Sequence, residues 1–512
     1  MIKVIRSFHL LFSFAFLLAF GFACSQPEKV EIIQEQVIPG ELPDPTLIEV
    51  DGVYYASGSS NAWGPYYPIY QSKDLKNWTF VDYVFREKPD WTINSFWAPE
   101  LFYKDGTFYC YYTAKRKDGV SCIGVASTKD LKKGFEDHGV LIEWGNEAID
   151  AFVNQQGEDL YITWKAYGLT EGKPITLLGS KLSKDGLSLE GEAFEVLTAE
   201  ADTWEQGGIE GQTILERDGY LYMIYSGNAC CGANCDYQVG VARAKTMEGS
   251  WEKYAGNPIL KGNEDWKCPG HGTAIQTGDD WFYLYHAYPT QGFPNLGRSA
   301  LLSQIAWDEE TGWPQFSANS QLGSGEIMGS DFIDEFDGKA LDPNWRFDVE
   351  AGNATAKIEG GNLILSSDSS AYPAFLGVNP EKADAEFQTQ VSGKSDVLRS
   401  LTFYVTKDNS LGLGIQGDSL VLWKVTKGDF QILGKQAVGT SSGIHLKAMM
   451  TDGKQFQFSF SLDGQTWENI GAEVNGDNLA WWSWGMKAGV SVKSDGISAD
   501  RKSSFGEFSV RY

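Results

Sequence analysis

Four carboxylic acids and one histidine stand in this chain at a nearly constant offset before a repeated turn: Asp44, Glu100, Asp150, Glu210 and His271. Asp150 lies in Ala148-Ile149-Asp150-Ala151-Phe152 and Glu210 in Gly208-Ile209-Glu210-Gly211-Gln212, so both are acids among apolar or glycine neighbours. Such surroundings are expected to raise a carboxyl pKa by desolvation, and nearby acids raise it further. Asp44 is flanked by Pro43 and Pro45, whose fixed φ holds the backbone; taken alone, such an aspartate reads first as a turn residue. Gathered in one place, these groups can divide acid–base work, one carboxylate ionised and another protonated.

What would gather them is a repeat. Asp51-Gly52-Val53-Tyr54-Tyr55, Asp105-Gly106-Thr107-Phe108-Tyr109, Gly157-Glu158-Asp159-Leu160-Tyr161, Asp218-Gly219-Tyr220-Leu221-Tyr222 and Gly278-Asp279-Asp280-Trp281-Phe282-Tyr283 are five versions of one turn and aromatic strand. They recur roughly every 50 to 60 residues, the spacing of propeller blades. Strands at short intervals with no long helical period predict an all-β fold. A five-bladed β-propeller is expected over 37–325, with each innermost strand aiming one ionisable side chain at a common axis. Beyond the Gly/Ser-rich stretch Ser317 to Ser330 the phrase stops. There Phe456-Gln457-Phe458-Ser459-Phe460 alternates and Asp463-Gly464 marks a hairpin, which predicts a β-sandwich over 331–512.

At 512 residues the chain exceeds one core, and two folded units are expected. With 42 Lys+Arg against 68 Asp+Glu, its net charge of −26 disfavours nucleic acid and anionic membrane surfaces as partners. Lys3 and Arg6, the apolar run Leu10 to Phe22 and then Ala23-Cys24 read as an export signal over 1–24. Cys24 resembles the lipidated first residue of a bacterial lipoprotein, which makes a lipid anchor the expected membrane contact of a periplasmic or cell-surface protein; ordinary cleavage nearby is the alternative. Residues 25–36 read as a polar tether. For the other six cysteines an exported protein favours disulfides over zinc. Cys110 and Cys122, which flank the hairpin through Asp118-Gly119, are an expected pair, and the remaining connectivity is open.

Read in order, Pro43-Asp44-Pro45, Trp97-Ala98-Pro99-Glu100, Ile149-Asp150, Ile209-Glu210-Gly211, Gly270-His271-Gly272, Gly297-Arg298 and Gly312-Trp313-Pro314 resemble the five-bladed propeller glycosidases of glycoside hydrolase family 43. The likeness runs from about Pro39 to Phe316, with Ala151 and Gln212 standing where the family often has proline. It implies Asp44 as general base, Glu210 as general acid and Asp150 as the residue that tunes and orients the acid. It also implies a carbohydrate substrate, no required cofactor, and a Ca2+ ion in the central channel that His271 would meet, directly or through water. Inversion at the anomeric carbon would set the Asp44 and Glu210 carboxyl groups about 6.5 to 9.5 Å apart. Trp97, Glu100, His271, Arg298 and Trp63 are substrate-binding candidates. Their alternatives are a hydrogen-bonded strand histidine, a blade-closing ion pair for Arg298, and core packing for the tryptophans.

From Asp334-Glu335-Phe336-Asp337-Gly338 through Trp345 the chain resembles the concanavalin-like sandwich that follows the propeller in many xylosidases of that family. Trp481, Trp482 and Trp484 form either a glycan patch or part of its core. The expected activity is release of arabinofuranosyl or xylosyl units from plant polysaccharides or oligosaccharides. The alternative is a propeller that binds carbohydrate without hydrolysing it. The fructan and sucrose propellers are disfavoured because their Asn-Asp-Pro-Asn, Arg-Asp-Pro and Glu-Cys signatures are missing.

Overall fold

A computed structural model describes residues 35–166, 175–316, 329–350, 354–367, 373–439, 443–477, 479–480, 482, 484–493 and 502–512. The expected export signal, Cys24, most of the expected tether and Trp481 lie outside these. Among the described residues the only helical element is the short turn Leu131–Lys133, and everything else regular is strand.

Each aromatic phrase is the hairpin between the first two strands of a blade, four-stranded in the first four blades and five-stranded in the last. The blade-opening strands are Thr46–Val50, Thr92–Lys104, Ala148–Gln156, Ile209–Arg217 and Trp266–Thr277, and consecutive ones touch in a closed cycle. Three of the five turns take a left-handed backbone at both central positions, as at Asp51 and Gly52 (φ 52° and 78°) or Asp105 and Gly106 (φ 50° and 79°), and the other two at Gly157 or Gly278 alone; aspartate followed by glycine adopts the former at little cost. Apolar clusters fill the gaps between neighbouring blades, so the aromatic strands are the glue of the ring. The ring is closed by Glu35–Glu41, which pairs with Ser299–Trp307 of the last blade. Glu35 and Gln36 therefore belong to a strand, not to the tether their polarity suggested. The buried Gln36 amide is satisfied by Ile38 O and Gly40 O.

Among the described residues the sandwich consists of a nine-stranded and an eight-stranded sheet. In Gln455–Ser461 the aromatics Phe456, Phe458 and Phe460 are buried, the alternation expected of a half-buried strand. The eight-stranded sheet ends on a piece of the propeller: Trp63–Gly64 pairs with Arg346–Asp348. Trp63 is thus not a sugar platform. It is 3% exposed and packs edge-on against Phe375 and Tyr404 at 5.9 and 6.0 Å. Nearby, fully buried Asn295 of the propeller donates to Gly453 O and Gly476 O (2.9 and 3.0 Å) and accepts from Ala480 N–H at 3.0 Å. Glu41 accepts from Lys487 Nζ and Gly485 N–H, each at 2.8 Å. Buried polar groups satisfied across a seam fix its geometry more sharply than apolar contact alone.

The expected Cys110–Cys122 disulfide is absent, and both thiols are free and buried. Strand register is the reason. Cys110 stands opposite Ala126 and Cys122 opposite Ala114, four ladder positions apart, or about 13 Å at the rise of a strand. A disulfide spans roughly half that. The disulfides instead join Cys230 to Cys231 and Cys235 to Cys268.

Candidate active site

The five blades share a slot, and the slot explains the acids. Eight residues before the second turn residue of each blade stand Asp44, Ala98, Asp150, Gly211 and His271, all with positive φ, from 38° at Ala98 to 61° at Gly211. In blades two to five the slot is a break in the ladder with the next strand, a bulge that re-aims a side chain toward the axis. Glu210 and Glu100 stand one residue before and two residues after their slots. Gly211 has no freedom to be anything else: besides its φ, a Cβ there would meet His271 Cγ at 2.6 Å.

A left-handed slot residue points its N–H away from the ladder, and the preceding blade catches it. Asp44 N donates to His286 Nδ1 (3.0 Å), Ala98 N to Ser59 Oγ (2.7 Å), Asp150 N to Thr113 Oγ1 (3.2 Å) and His271 N to Ser226 Oγ (2.8 Å). Each acceptor stands fifteen residues after the slot of its own blade. In the third blade that position is Lys165, which has protons to give and no lone pair to accept with. Gln212 contributes instead, its amide donating to Asp150 O (2.7 Å) and Thr163 Oγ1 (3.2 Å). A proline at this place could not do that.

Asp44 Oδ1 accepts from Arg298 at 2.7 Å and Oδ2 from Ser59 at 2.5 Å. Burial works against its charge, but the Arg298 guanidinium, then His271 and the Ser59 hydroxyl, hold the carboxyl well below the usual range. His286 accepts at Nδ1 and is neutral, its pKa lowered by burial and by Arg298. Burial and the Glu210 charge raise Asp150. Glu210 departs from the raised pKa expected of it. Despite burial it is lowered, because Lys165 Nζ donates to Oε2 at 2.8 Å and Tyr237 OH to Oε1 at 3.0 Å. The three acids thus lie in unequal fields: Asp44 and Glu210 ionised, Asp150 protonated most easily.

Asp44, Asp150, Glu210, His271, Lys165 and Arg298 line one hollow of about 240 Å³. Trp97 lines it too, from blade two. The sandwich adds Trp482, 48% exposed, whereas Trp484 packs against the sandwich core. Glu147, Lys165, Cys230, Cys231 and the supporting Ser59, His286 and Tyr237 were not anticipated as site residues. The fifteen-residue offset was a signal for Ser59, Lys165 and His286; nothing local marks the others.

Glu100 is not at the hollow. It is buried beside Thr46, whose hydroxyl donates to it at 2.8 Å, and burial pushes its carboxyl up to about 8. The folded chain therefore holds this proton more tightly than the unfolded chain, whose glutamates titrate at about 4.3. Stability is fully present below that value and declines as pH rises from there to about 8. Glu100→Gln should remove the decline. Urea unfolding should find the variant close to wild type at pH 4 and more stable at pH 8, by on the order of a few kcal/mol.

His271, of which a calcium contact is expected, sits beside two of the acids. Its Nδ1 lies 3.5 Å from Asp44 Oδ1 and 3.7 Å from Asp150 Oδ2. Among the described residues no three His, Cys, Asp or Glu side chains are grouped to hold a metal ion.

The model of glycosyl hydrolases family 43 matches residues 33–314, and that of the beta xylosidase C-terminal Concanavalin A-like domain matches residues 333–511. The chain is 28% identical over 302 residues to the extracellular endo-α-(1→5)-L-arabinanase 1 of Bacillus subtilis (strain 168), covering 54% of this chain and 87% of that protein. It is 25% identical over 417 residues to the non-reducing end α-L-arabinofuranosidase BoGH43B of Bacteroides ovatus, covering 75% of this chain and 73% of that protein. The crystal structure of xylan β-1,4-xylosidase from Bacillus halodurans C-125 has the same fold, with a TM-score of 0.81 at 17% identity over 94% of this chain and 100% of that one. Since the catalytic-domain match alone spans more than half of the sequence, this protein belongs to glycoside hydrolase family 43, with the family's concanavalin-like domain behind its propeller.

Proposed function

We propose that the protein is an inverting glycosidase that releases arabinofuranosyl or xylosyl units from plant polysaccharides or oligosaccharides, with Asp44 as general base, Glu210 as general acid and Asp150 tuning the acid. The observation that carries this reading is the meeting of these three acids, from three blades, at one open hollow in unequal electrostatic fields. Asp44, kept ionised by Arg298, takes a proton from the attacking water. Glu210 gives one to the departing oxygen as an oxocarbenium-like transition state forms. Asp150 shares the field of Glu210, so a charge on one raises the proton affinity of the other. Trp97 and Trp482 offer aromatic surface to the apolar faces of a sugar.

The sugar class follows from relatives that include an arabinanase, an arabinofuranosidase and β-xylosidases. Export and lipid attachment at Cys24 complete the proposal, since polymeric glycans are met outside the cell. Nitrophenyl arabinofuranoside and xyloside, then arabinans and xylans, should be turned over, and NMR of the first-formed sugar should show the inverted anomer. Retention of configuration, or no turnover across the panel, refutes the reading.

A further inference from the structure

Lys165 is a cation between two carboxylates, bonded to only one. Its Nζ is 2.8 Å from Glu210 Oε2 and 3.5 Å from Glu147 Oε1. Glu147 is 7% exposed, and its Oε1 makes no hydrogen bond among the described residues. All three line the hollow. An acceptor this deeply buried and left unmade is unusual, and here the missing donor is less than 1 Å beyond bonding distance. Resting geometry also leaves the chemistry incomplete. A general acid must carry a proton, and an ammonium seated on Glu210 opposes that.

We propose that Lys165 has two seats: it rests on Glu210 in the free enzyme and passes to Glu147 when sugar fills the hollow, so that Glu210 takes up the proton it will deliver. This rests on Glu210 being the general acid. The lysine keeps its three protons throughout. Glu147 gains a hydrogen bond and no proton, and Glu210 gains one proton from solvent, so sugar binding takes up one proton in all. Sugar supplies the drive by displacing water from around Glu210, which makes an ionised carboxylate there costlier. The flexible stem of lysine supplies the reach.

The other groups facing these three side chains bear on the same balance. Tyr237 OH, His271 and Asp150 face Glu210. Lys115 and Glu210 act on Glu147, and Asp150 acts on Lys165. Burial raises the Glu147 carboxyl although Lys165 lowers it, whereas Lys165 brings Glu210 below the usual range despite burial.

Calorimetry of xylobiose and arabinobiose binding in buffers of different ionisation enthalpy tests the inference, using Asp44→Asn enzyme so that the sugar is held without turnover. Uptake approaching one proton is expected, falling toward none when Glu147→Gln is added, because an amide is a poorer seat for a buried ammonium than a carboxylate. In the otherwise wild-type enzyme, Glu147→Gln should move the alkaline limb of kcat down by about one to three pH units, and Lys165→Met should move it up. Unchanged proton uptake in the Glu147→Gln background overturns the inference even if the limb shifts, since a purely electrostatic Glu147 would do only the latter. Limb shifts of the same sign in both variants overturn it as well. A Glu210→Gln enzyme that hydrolyses alkyl glycosides at the wild-type rate would instead refute the general-acid reading itself.

Discussion

Asp44→Asn should lower kcat by about 10²- to 10⁴-fold on every substrate, while Glu210→Gln should do so only where the leaving group is poor. The two carboxylates serve different bonds. Activation of water is needed whatever departs, so loss of Asp44 is felt equally by alkyl and aryl glycosides. Proton delivery matters little to a dinitrophenolate, which leaves as a stable anion, so Glu210→Gln should recover most of its rate on dinitrophenyl glycosides. Both variants are nearly isosteric. In Asp44→Asn the amide oxygen still accepts from Arg298, which otherwise bonds Oδ1 at 2.7 Å; in Glu210→Gln, Lys165 keeps Glu147 at 3.5 Å as its counter-charge. Thermal unfolding recorded beside the kinetics separates lost chemistry from lost fold. Rescue of Asp44→Asn by the better leaving group, with none for Glu210→Gln, would exchange the two roles.

The second large effect concerns stability. Trp63→Ala should cost about 3–5 kcal/mol, the usual range for deleting a fully buried tryptophan. Its ring fills the seam between propeller and sandwich against Phe375 and Tyr404, with Lys487 Nζ 5.1 Å above it. Alanine preserves the backbone pairing of Trp63–Gly64 with Arg346–Asp348, so the loss is that of side-chain packing. It would also open space beside the buried Glu41–Lys487 pair. Denaturant titration should show a markedly lower midpoint, with Trp63→Phe in between. A variant with the wild-type midpoint but a raised KM would return Trp63 to the role of sugar platform.

Much of this architecture was legible before any coordinates, because its determinants are local. Asp51-Gly52 and its counterparts encode their turns, and the aromatic alternation after each encodes a strand. A constant offset from those turns carries Asp44, Asp150 and His271 to the same slot of their blades. The offset misled in one respect. The slot in blade two belongs to Ala98, so Glu100 two residues on is buried beside Thr46 and away from the hollow. Cys110 and Cys122 misled in another way, since adjacency across a hairpin says nothing of ladder register.

Sequence alone determined the number of blades, the sandwich behind them and which three acids come to the hub, since hairpin turns and period-two patterning act within a few residues. Tertiary structure decided what those acids are. Lys165, Arg298 and Tyr237 reach Glu210 or Asp44 from distant stretches of chain, and the position of a buried proton follows from distances of a few ångströms between such groups. Whether Trp63 and Trp482 serve a core or a hollow was likewise settled only by where the second domain came to rest, because an aromatic ring looks the same in sequence whatever lies against its face.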